Sequence, residues 1–502
     1  MQAQMPYTAS ATGRNVIPIV PYAVKGRFRS LKTAILTLAF AVYYLLPWLP
    51  WHGQQRTGQL ILIDLPRSRL QLFDLTLYPQ DLMVLMGLMV LAAAMLFYSA
   101  AMLGRAFCGF FCFQTLWTDA FRMIETWVQG PAQARLRLMK QPWSLDKPGL
   151  EKLAKLGLTH LLWLLLAVLT ALTFTFYFSP PGVLIASLLD GSAPYAAYTT
   201  IAVLTATTYV AAGIAREDIC RVACPYGKFQ SVMQDTATRT VHYDAQRGER
   251  SLGRKAPTAA FSSKANSVAG TRERQGYGDC IDCGYCVKVC PTGVDIRKGF
   301  QIDCISCGLC IDACDQIMRS VNLPTGLIRY ARPDTQPAAA ATATVARADS
   351  LPARAEATPL VKAADGWSQF RRHGYLAIIL LSAVFIAYQL MHLQPFSAVT
   401  QQQAQPLVMV MSNGDLKSRY SVRITNKSAA TEHYTISMQG LPPGAITSQP
   451  GLTVPAGKTY QHSMSLLLTP QQASALSSFR MTITPISAPH ASQQYQLGYI
   501  NR

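Results

Sequence analysis

Apolar residues run almost unbroken through five stretches of this 502-residue chain, at about 31–51, 82–103, 156–178, 195–214 and 375–392. Each holds roughly the 20 residues that an α-helix needs to cross about 30 Å of hydrocarbon. Any one of them would pass for a buried helix of a soluble core; five together predict a membrane bundle. The first follows Lys25, Arg27 and Arg29, contains Lys32, and has no small-residue cleavage site after it. It reads as a retained helix rather than a signal peptide. Beyond the fifth stretch the pattern changes to short alternating runs at 407–411, 420–424, 433–438, 460–468 and 479–483. Asn413-Gly414, Pro442-Pro443-Gly444 and Pro455-Ala456-Gly457 punctuate them as turns. Such alternation predicts a small β-sandwich.

The segments between these runs complete a layout. Residues 1–30 are a polar tail, and 31–245 are a four-helix membrane region. Residues 246–276, rich in Arg, Lys, Ser, Ala and Gly, read as a flexible connection, and 277–330 as a compact cysteine-rich unit. Residues 331–372 are rich in Ala, Thr and Pro, as a disordered linker is. The fifth membrane helix takes 373–394 and the sandwich 395–502.

Half of the residues are apolar and 14% charged, which separates the chain from ordinary soluble enzymes. The formal charge of +19 would suit nucleic acid, but the basic residues sit in particular loops between apolar runs, so no nucleic-acid partner is inferred. Membrane topology explains them better. The loop 52–81 carries Arg56, Arg67 and Arg69, and 179–194 carries no Lys or Arg. The loop 104–155 holds eight basic residues, and 215–374 is richer still. Positive loops face the cytoplasm. The N-terminus is therefore expected inside and the C-terminal region in the periplasm, in a bacterial inner membrane with lipid as its surroundings.

All twelve cysteines fall on the predicted cytoplasmic side, where thiols stay reduced, and 395–502 has none. This points to metal or redox chemistry rather than disulfides. Eight form two runs: Cys280-x-x-Cys283-x-x-Cys286-x-x-x-Cys290-Pro291, then Cys304-x-x-Cys307-x-x-Cys310-x-x-x-Cys314. That is the bacterial ferredoxin-like spacing for two [4Fe–4S] clusters, in which the fourth cysteine of each motif serves the other cluster. One cluster is expected on Cys280, Cys283, Cys286 and Cys314, the other on Cys304, Cys307, Cys310 and Cys290. Gly284 and Gly308 are expected to let the loop backbone approach the sulfides. Asp315 stands where Pro291 stands in the first motif, which alters the local turn without removing a ligand. Zinc usually takes its cysteines as two separated pairs and fits less well.

The other four cysteines form two Cys-x-x-x-Cys pairs, Cys108/Cys112 and Cys220/Cys224, each just past a membrane helix and each following an arginine (Arg105, Arg216). This is a weak internal repeat. On a helix, positions four apart share a face, so each pair is expected to point two sulfurs the same way. Packed hairpins would bring four soft thiolates together, suited to Cu(I), zinc or iron–sulfur ligation. Taken singly such cysteines are ordinary small buried residues; two matched pairs beside a ferredoxin-like unit favour a site. His160 lies at a comparable depth in the third helix and joins them as a candidate metal ligand. His52, His392, Trp48, Trp51 and Trp163 read as interfacial or packing residues.

Several stretches carry a family likeness: Asp64-Leu65-Pro66, Tyr78-Pro79-Gln80-Asp81, Cys108-Gly109-Phe110-Phe111-Cys112 and Arg216-Glu217-Asp218-Ile219-Cys220 through Cys224-Pro225-Tyr226-Gly227. Gly278-Asp279-Cys280-Ile281-Asp282-Cys283 and Gly326-Leu327-Ile328-Arg329-Tyr330 match as well. The chain resembles the cytochrome c oxidase accessory protein CcoG family, also called FixG or RdxA. The resemblance implies a multi-domain integral membrane protein, with five helices, a cytoplasmic two-cluster unit and a periplasmic immunoglobulin-like β-sandwich. It also implies a role in maturing cbb-type haem–copper oxidase, by reducing Cu(II) to Cu(I) for the copper chaperones or assembly factors that load it. The family's Cys-x-x-x-Cys-Pro motif maps onto Cys220, Cys224 and Pro225, and onto Cys108 and Cys112 with Phe113 in place of the proline.

The leading expectation is a cupric reductase with copper at Cys108, Cys112, Cys220, Cys224 and His160, fed by an unidentified donor, a quinol or a cytoplasmic reductant. Two others stand beside it: a quinol-dehydrogenase-type relay, as in related membrane polyferredoxins, and a non-redox oxidase-assembly scaffold. A homodimer is an open option.

Overall fold

The computed structural model describes residues 20–52, 57–144, 146–235, 238–254, 276–299, 301–332, 359–402, 408–412, 414–428, 430–442, 445–447 and 451–499. Much of the expected tail, the 246–276 connection and the 331–372 linker lies outside the described residues, as do Leu407, Asn413, Pro443 and Gly444. The chain divides into two compact units. One comprises Met1–Leu45, Val90–Phe176 and Ile185–Leu381; the other comprises Leu46–Met89, Tyr177–Leu184 and Ser382–Arg502.

Among the described residues five helical spans are long and apolar enough to cross a membrane, the fourth only together with the π-helical residues that follow it. They are α1 (Arg27–Leu45), α2 (Leu82–Leu103), α3 (Lys147–Phe176), α4 (Tyr195–Thr208) and α5 (Pro359–Met391). Trp51 falls instead in a short strand, Pro50–His52, because Pro47 and Pro50 cannot continue the helix. At its far end α4 runs into a π-helical stretch, Tyr209–Ala215. The fifth helix starts inside the stretch expected to be linker, and Arg371 in its early turns pairs with Asp235 at 2.7 Å. Between α2 and α3 the basic loop folds into three shorter helices, Ala106–Phe110, Phe113–Gln129 and Ala132–Lys140. The middle one buries Leu116, Ala120 and Phe121 and exposes Met123 and Trp127.

In the first unit, the cysteine-rich module is larger than 277–330. Strand Thr240–Tyr243 pairs antiparallel with Ile328–Ala331, and Arg247 binds Asp279 at 2.6 Å. The start of the expected flexible connection is thus folded onto the module. The end of the expected loose tail is ordered too. Tyr22 N–H bonds Lys288 O at 2.9 Å, and Asp312 accepts from the amides of Phe28 (3.2 Å) and Arg29 (2.8 Å). A carboxylate satisfies the otherwise unpaired first amides of α1 and suits the positive end of its dipole.

In the second unit two antiparallel sheets form the sandwich. One has the order Ile446–Thr447, Thr459–Leu468, Leu416–Asn426, Phe396–Gln402, with Met409–Val410 also on Leu416–Asn426. The other has the order Gly451–Val454, Glu432–Gln439, Ser478–Pro485, Gln493–Gly498. Val422 stands opposite Thr400 on one side and His462 on the other, and it buries with Ile424, Tyr434, Met481 and Ile483 in the core. Strands such as Gln493–Gly498 escape prediction because polar residues fill their exposed face. The 57–81 loop is also strand-rich, and Lys427 of the sandwich grips Asp81 at 2.7 and 2.8 Å.

Candidate functional site

Two cavities of the first unit are each lined by four cysteines. Cys280, Cys283, Cys286 and Cys314 line one of about 30 Å³, walled by Tyr243, Ile281, Met318 and Leu327. Cys290, Cys304, Cys307 and Cys310 line the other, of about 20 Å³, walled by Val241, Val294, Ile296 and Leu309. Each set takes its fourth cysteine from the other motif. The two loops repeat one backbone. Asp282 and Ser306 have φ of 53° and 51°, and Gly284 and Gly308 have 65° and 74°. Glycine is required at Gly284 by that left-handed conformation alone, since a side chain there would meet nothing. At Gly308 a Cβ would also strike the Phe28 ring at 2.6 Å. After the fourth cysteines the motifs diverge. With no proline at Asp315, the helix Leu309–Ser320 runs on past Cys314, and Asp315 accepts from Gly326 N–H at 2.9 Å.

Burial pushes the Cys286 and Cys304 thiols up to about 12 and Cys307 to about 11, and it also raises Cys310 and Cys314. Metal binding must therefore displace protons from these thiols. Among the described residues no three Cys, His, Asp or Glu side chains converge on a single ion. Four cysteines that share an apolar-walled cavity without converging on one ion, the fourth drawn from the other motif, fit a four-iron cube better than a tetrahedral zinc ion.

The remaining cysteines form a third group. Cys108 sits in the short helix Ala106–Phe110 and Cys112 at the N-cap of Phe113–Gln129. Cys220 sits in a π-helical turn, Ile219–Ala223, and Cys224 at the N-cap of Pro225–Val232. Each pair therefore straddles a helix break instead of sharing one helical face. Pro225 imposes the break in the second pair, being favoured at the first helical position. In the first pair the amides of Phe111 and Cys112 both turn back to Phe107 O, at 2.9 and 3.0 Å.

The four thiols are close enough to act on one another. Burial foremost, then the charges of Cys112, Cys108 and Cys224, pushes Cys220 up to about 12. Burial likewise pushes Cys108 up to about 11, against the pull of Arg105. Cys108 Sγ donates to Oε1 of Gln230 at 3.0 Å, and this fully buried amide donates in turn to the Tyr226 hydroxyl at 2.9 Å.

His160 does not join this group. Its Nδ1 is 2.8 Å from the Tyr209 hydroxyl, and it lines a separate cavity of about 380 Å³ with Glu125, Trp163, Arg216 and Glu217 but none of the cysteines. The packing of α3 against α4 turns it toward Tyr209. Trp163 is a packing residue as expected, 4% exposed and bonded through Nε1 to Phe121 O at 3.2 Å.

The two kinds of cysteine site touch. A Cβ on Gly109 would lie 2.6 Å from Ile305 O and 3.0 Å from Cys307 Cα, so the Cys108 helix lies flush on the Cys304–Cys307 loop. Cys108 shares one apolar cluster with Val289, Ile305, Cys307 and Leu309. Gln230, Arg105 and Asp312 are site residues that sequence reasoning missed. For Arg105 its spacing before Cys108 was the available signal, and for Gly109 its place inside the Cys-x-x-x-Cys run.

Residues 215–333 match the family described as "4Fe-4S dicluster domain", and 386–497 match "IG-like fold at C-terminal of FixG". Protein RdxB of Cereibacter sphaeroides is 34% identical over 482 residues, 94% of both chains, and protein RdxA of the same organism is 35% identical over 485 residues, again 94% of both. The chain belongs to the FixG/RdxA family. Nitrogen fixation protein FixG of Rhizobium meliloti is 35% identical over 439 residues, 84% of this chain and 79% of its own. A crystal structure of a FixG-related protein from Vibrio parahaemolyticus is 17% identical, covers 22% of this chain and 99% of its own, and has a TM-score of 0.20. This FixG/RdxA-family chain is thus a membrane protein with a [4Fe–4S] dicluster domain and an immunoglobulin-like C-terminal domain. Two of the stretches that carry the family likeness work in the second unit. Asp64 binds Arg69 at 2.9 Å and Arg67 at 3.2 Å, and Asp81 holds Lys427.

Proposed function

We propose that this chain is a membrane electron-transfer protein that reduces Cu(II) to Cu(I) at Cys108, Cys112, Cys220 and Cys224, and so assists copper delivery to a cbb-type cytochrome c oxidase. The observation that carries the reading is the seating of the Cys108 helix directly on the Cys304–Cys307 loop. Cys280, Cys283, Cys286 and Cys314 would hold one cluster, and Cys304, Cys307, Cys310 and Cys290 the other. Such clusters, when bound, supply electrons one at a time. The four thiols at the membrane edge do the rest. Soft thiolates prefer Cu(I), so holding the product more tightly than Cu(II) favours reduction, and one electron converts one ion with no bond to the substrate broken. The basic loops support a cytoplasmic side for this chemistry and a periplasmic side for the immunoglobulin-like domain, which would offer a contact surface to assembly partners.

The test is a Cys220→Ala/Cys224→Ala variant of the full chain. Copper binding and Cu(II) reduction are expected to fall at least tenfold while iron content is unchanged. Undiminished binding and turnover would sink the site assignment.

The quinol-type relay keeps one specific support, the cavity beside His160 of α3 and Tyr209 just past the end of α4. Reduction of the protein by a quinol analogue, with no response to added Cu(II), would favour it.

A further inference from the structure

Arg105 is 2% exposed. Its Nη1 donates to Ile302 O at 2.5 Å, and Nη2 lies 2.5 Å from where a Cβ on Gly227 would stand. Its Nε is buried with no hydrogen-bond partner. A guanidinium taken out of water is costly unless an anion compensates it. The nearby Arg221 has Asp218 at 3.7 Å and Asp303 at 3.5 Å. Among the described residues no carboxylate forms an ion pair with Arg105. What it does have is sulfur nearby: it stands three residues before Cys108, its bond to Ile302 O sets it beside the chain two residues before Cys304, and its charge opposes the burial that raises both thiols.

The other four-cysteine cavity is built differently. Its lining includes Arg297, but that guanidinium is already paired with Asp295 at 2.8 Å and with Asp282. The Cys290/Cys304/Cys307/Cys310 cavity has no arginine in its lining; the cations near it are the buried Lys32, 3.8 Å from Asp119, and Arg105, bonded to Ile302 O just ahead of Cys304 and without a carboxylate partner among the described residues.

We infer that Arg105 is a positioning residue that acts as the common counter-ion of the two thiolate centres it separates, and that it raises the reduction potential of the Cys290/Cys304/Cys307/Cys310 centre selectively. This rests on the cluster-ligand reading above. A cation stabilises the extra negative charge of a reduced thiolate-ligated centre more than that of the oxidised one, and low-dielectric surroundings strengthen the effect. The centre next to the membrane-edge cysteines is therefore the higher-potential one. An electron arriving at the Cys280 side runs downhill toward Cys108.

The experiment is an EPR-monitored potentiometric titration of the full-length protein without copper, comparing wild type, Arg105→Gln and Arg105→Lys. In R105Q the higher-potential step is expected to move negative by about tenfold in its equilibrium, about 59 mV for one electron, while the lower step stays in place. R105K keeps the charge and is expected to restore most of the shift. Both steps unmoved in R105Q, or both moved together, overturns the inference. If R105Q sheds iron instead, loss of half with one step intact supports it, and loss of all overturns it. Because no copper is present, failure of the copper reading leaves this result untouched.

Discussion

Replacing Cys314 with Ser is expected to remove the cluster whose other ligands are Cys280, Cys283 and Cys286, and replacing Cys290 the cluster of Cys304, Cys307 and Cys310. Each variant should keep half of the wild-type iron and one of the two reduction steps. The reason is geometric: each cavity has three cysteines from its own loop and the fourth from the other motif. Double variants make the assignment strict. Residues serving one centre are non-additive, whereas residues serving different centres add. Cys283→Ser/Cys314→Ser should therefore resemble Cys314→Ser alone, and Cys283→Ser/Cys290→Ser should lose all of the iron. Iron analysis with EPR of the reduced protein reads both. Ligation within each motif would give the reverse pattern.

Gly109→Val is expected to separate the two kinds of site. Ordinary overpacking of a core costs about 1–3 kcal/mol, because side chains can shift. Here the atoms met are backbone, Ile305 O and the N and Cα of Cys307, which the cluster loop cannot move without disturbing Cys304 and Cys307. The upper end of that range or more is expected, seen as a lower melting temperature of the first unit. Where the variant is folded and carries its iron, transfer of electrons from reduced protein to Cu(II) should slow at least tenfold. Rapid mixing of the reduced variant with Cu(II) measures this; an unchanged rate at full iron content would mean that the contact is not the route.

Much of this was legible in the residues. Five apolar runs become five helices because about 20 apolar residues admit few other structures. The cluster spacing was legible because three cysteines on one tight loop cannot enclose a cube alone. The sandwich strands that alternate cleanly were legible, and polar edge strands were not. Other features depend on tertiary placement. Position four of a Cys-x-x-x-Cys run suggests a shared helical face, yet Pro225 and the turn at Phe107 break both helices. His160 was expected beside the cysteine pairs, but the helix packing presents it to Tyr209 instead. Asp312 caps a helix nearly three hundred residues away in sequence, which no local pattern announces. The same holds for the seating of Gly109 on the Cys304–Cys307 loop, the contact on which the functional reading depends.

The most direct test is freeze-quench EPR after mixing the fully reduced, full-length protein with Cu(II). The signals of the reduced clusters and of Cu(II) are expected to disappear together, with two Cu(II) ions consumed per chain carrying two one-electron clusters. Replacing Cys108, Cys112, Cys220 and Cys224 together with Ser should leave both signals standing. Loss of the Cu(II) signal at the wild-type rate in that fourfold variant, or clusters that stay reduced in the wild type while Cu(II) persists, would contradict a path from the dicluster domain to the membrane-edge cysteines.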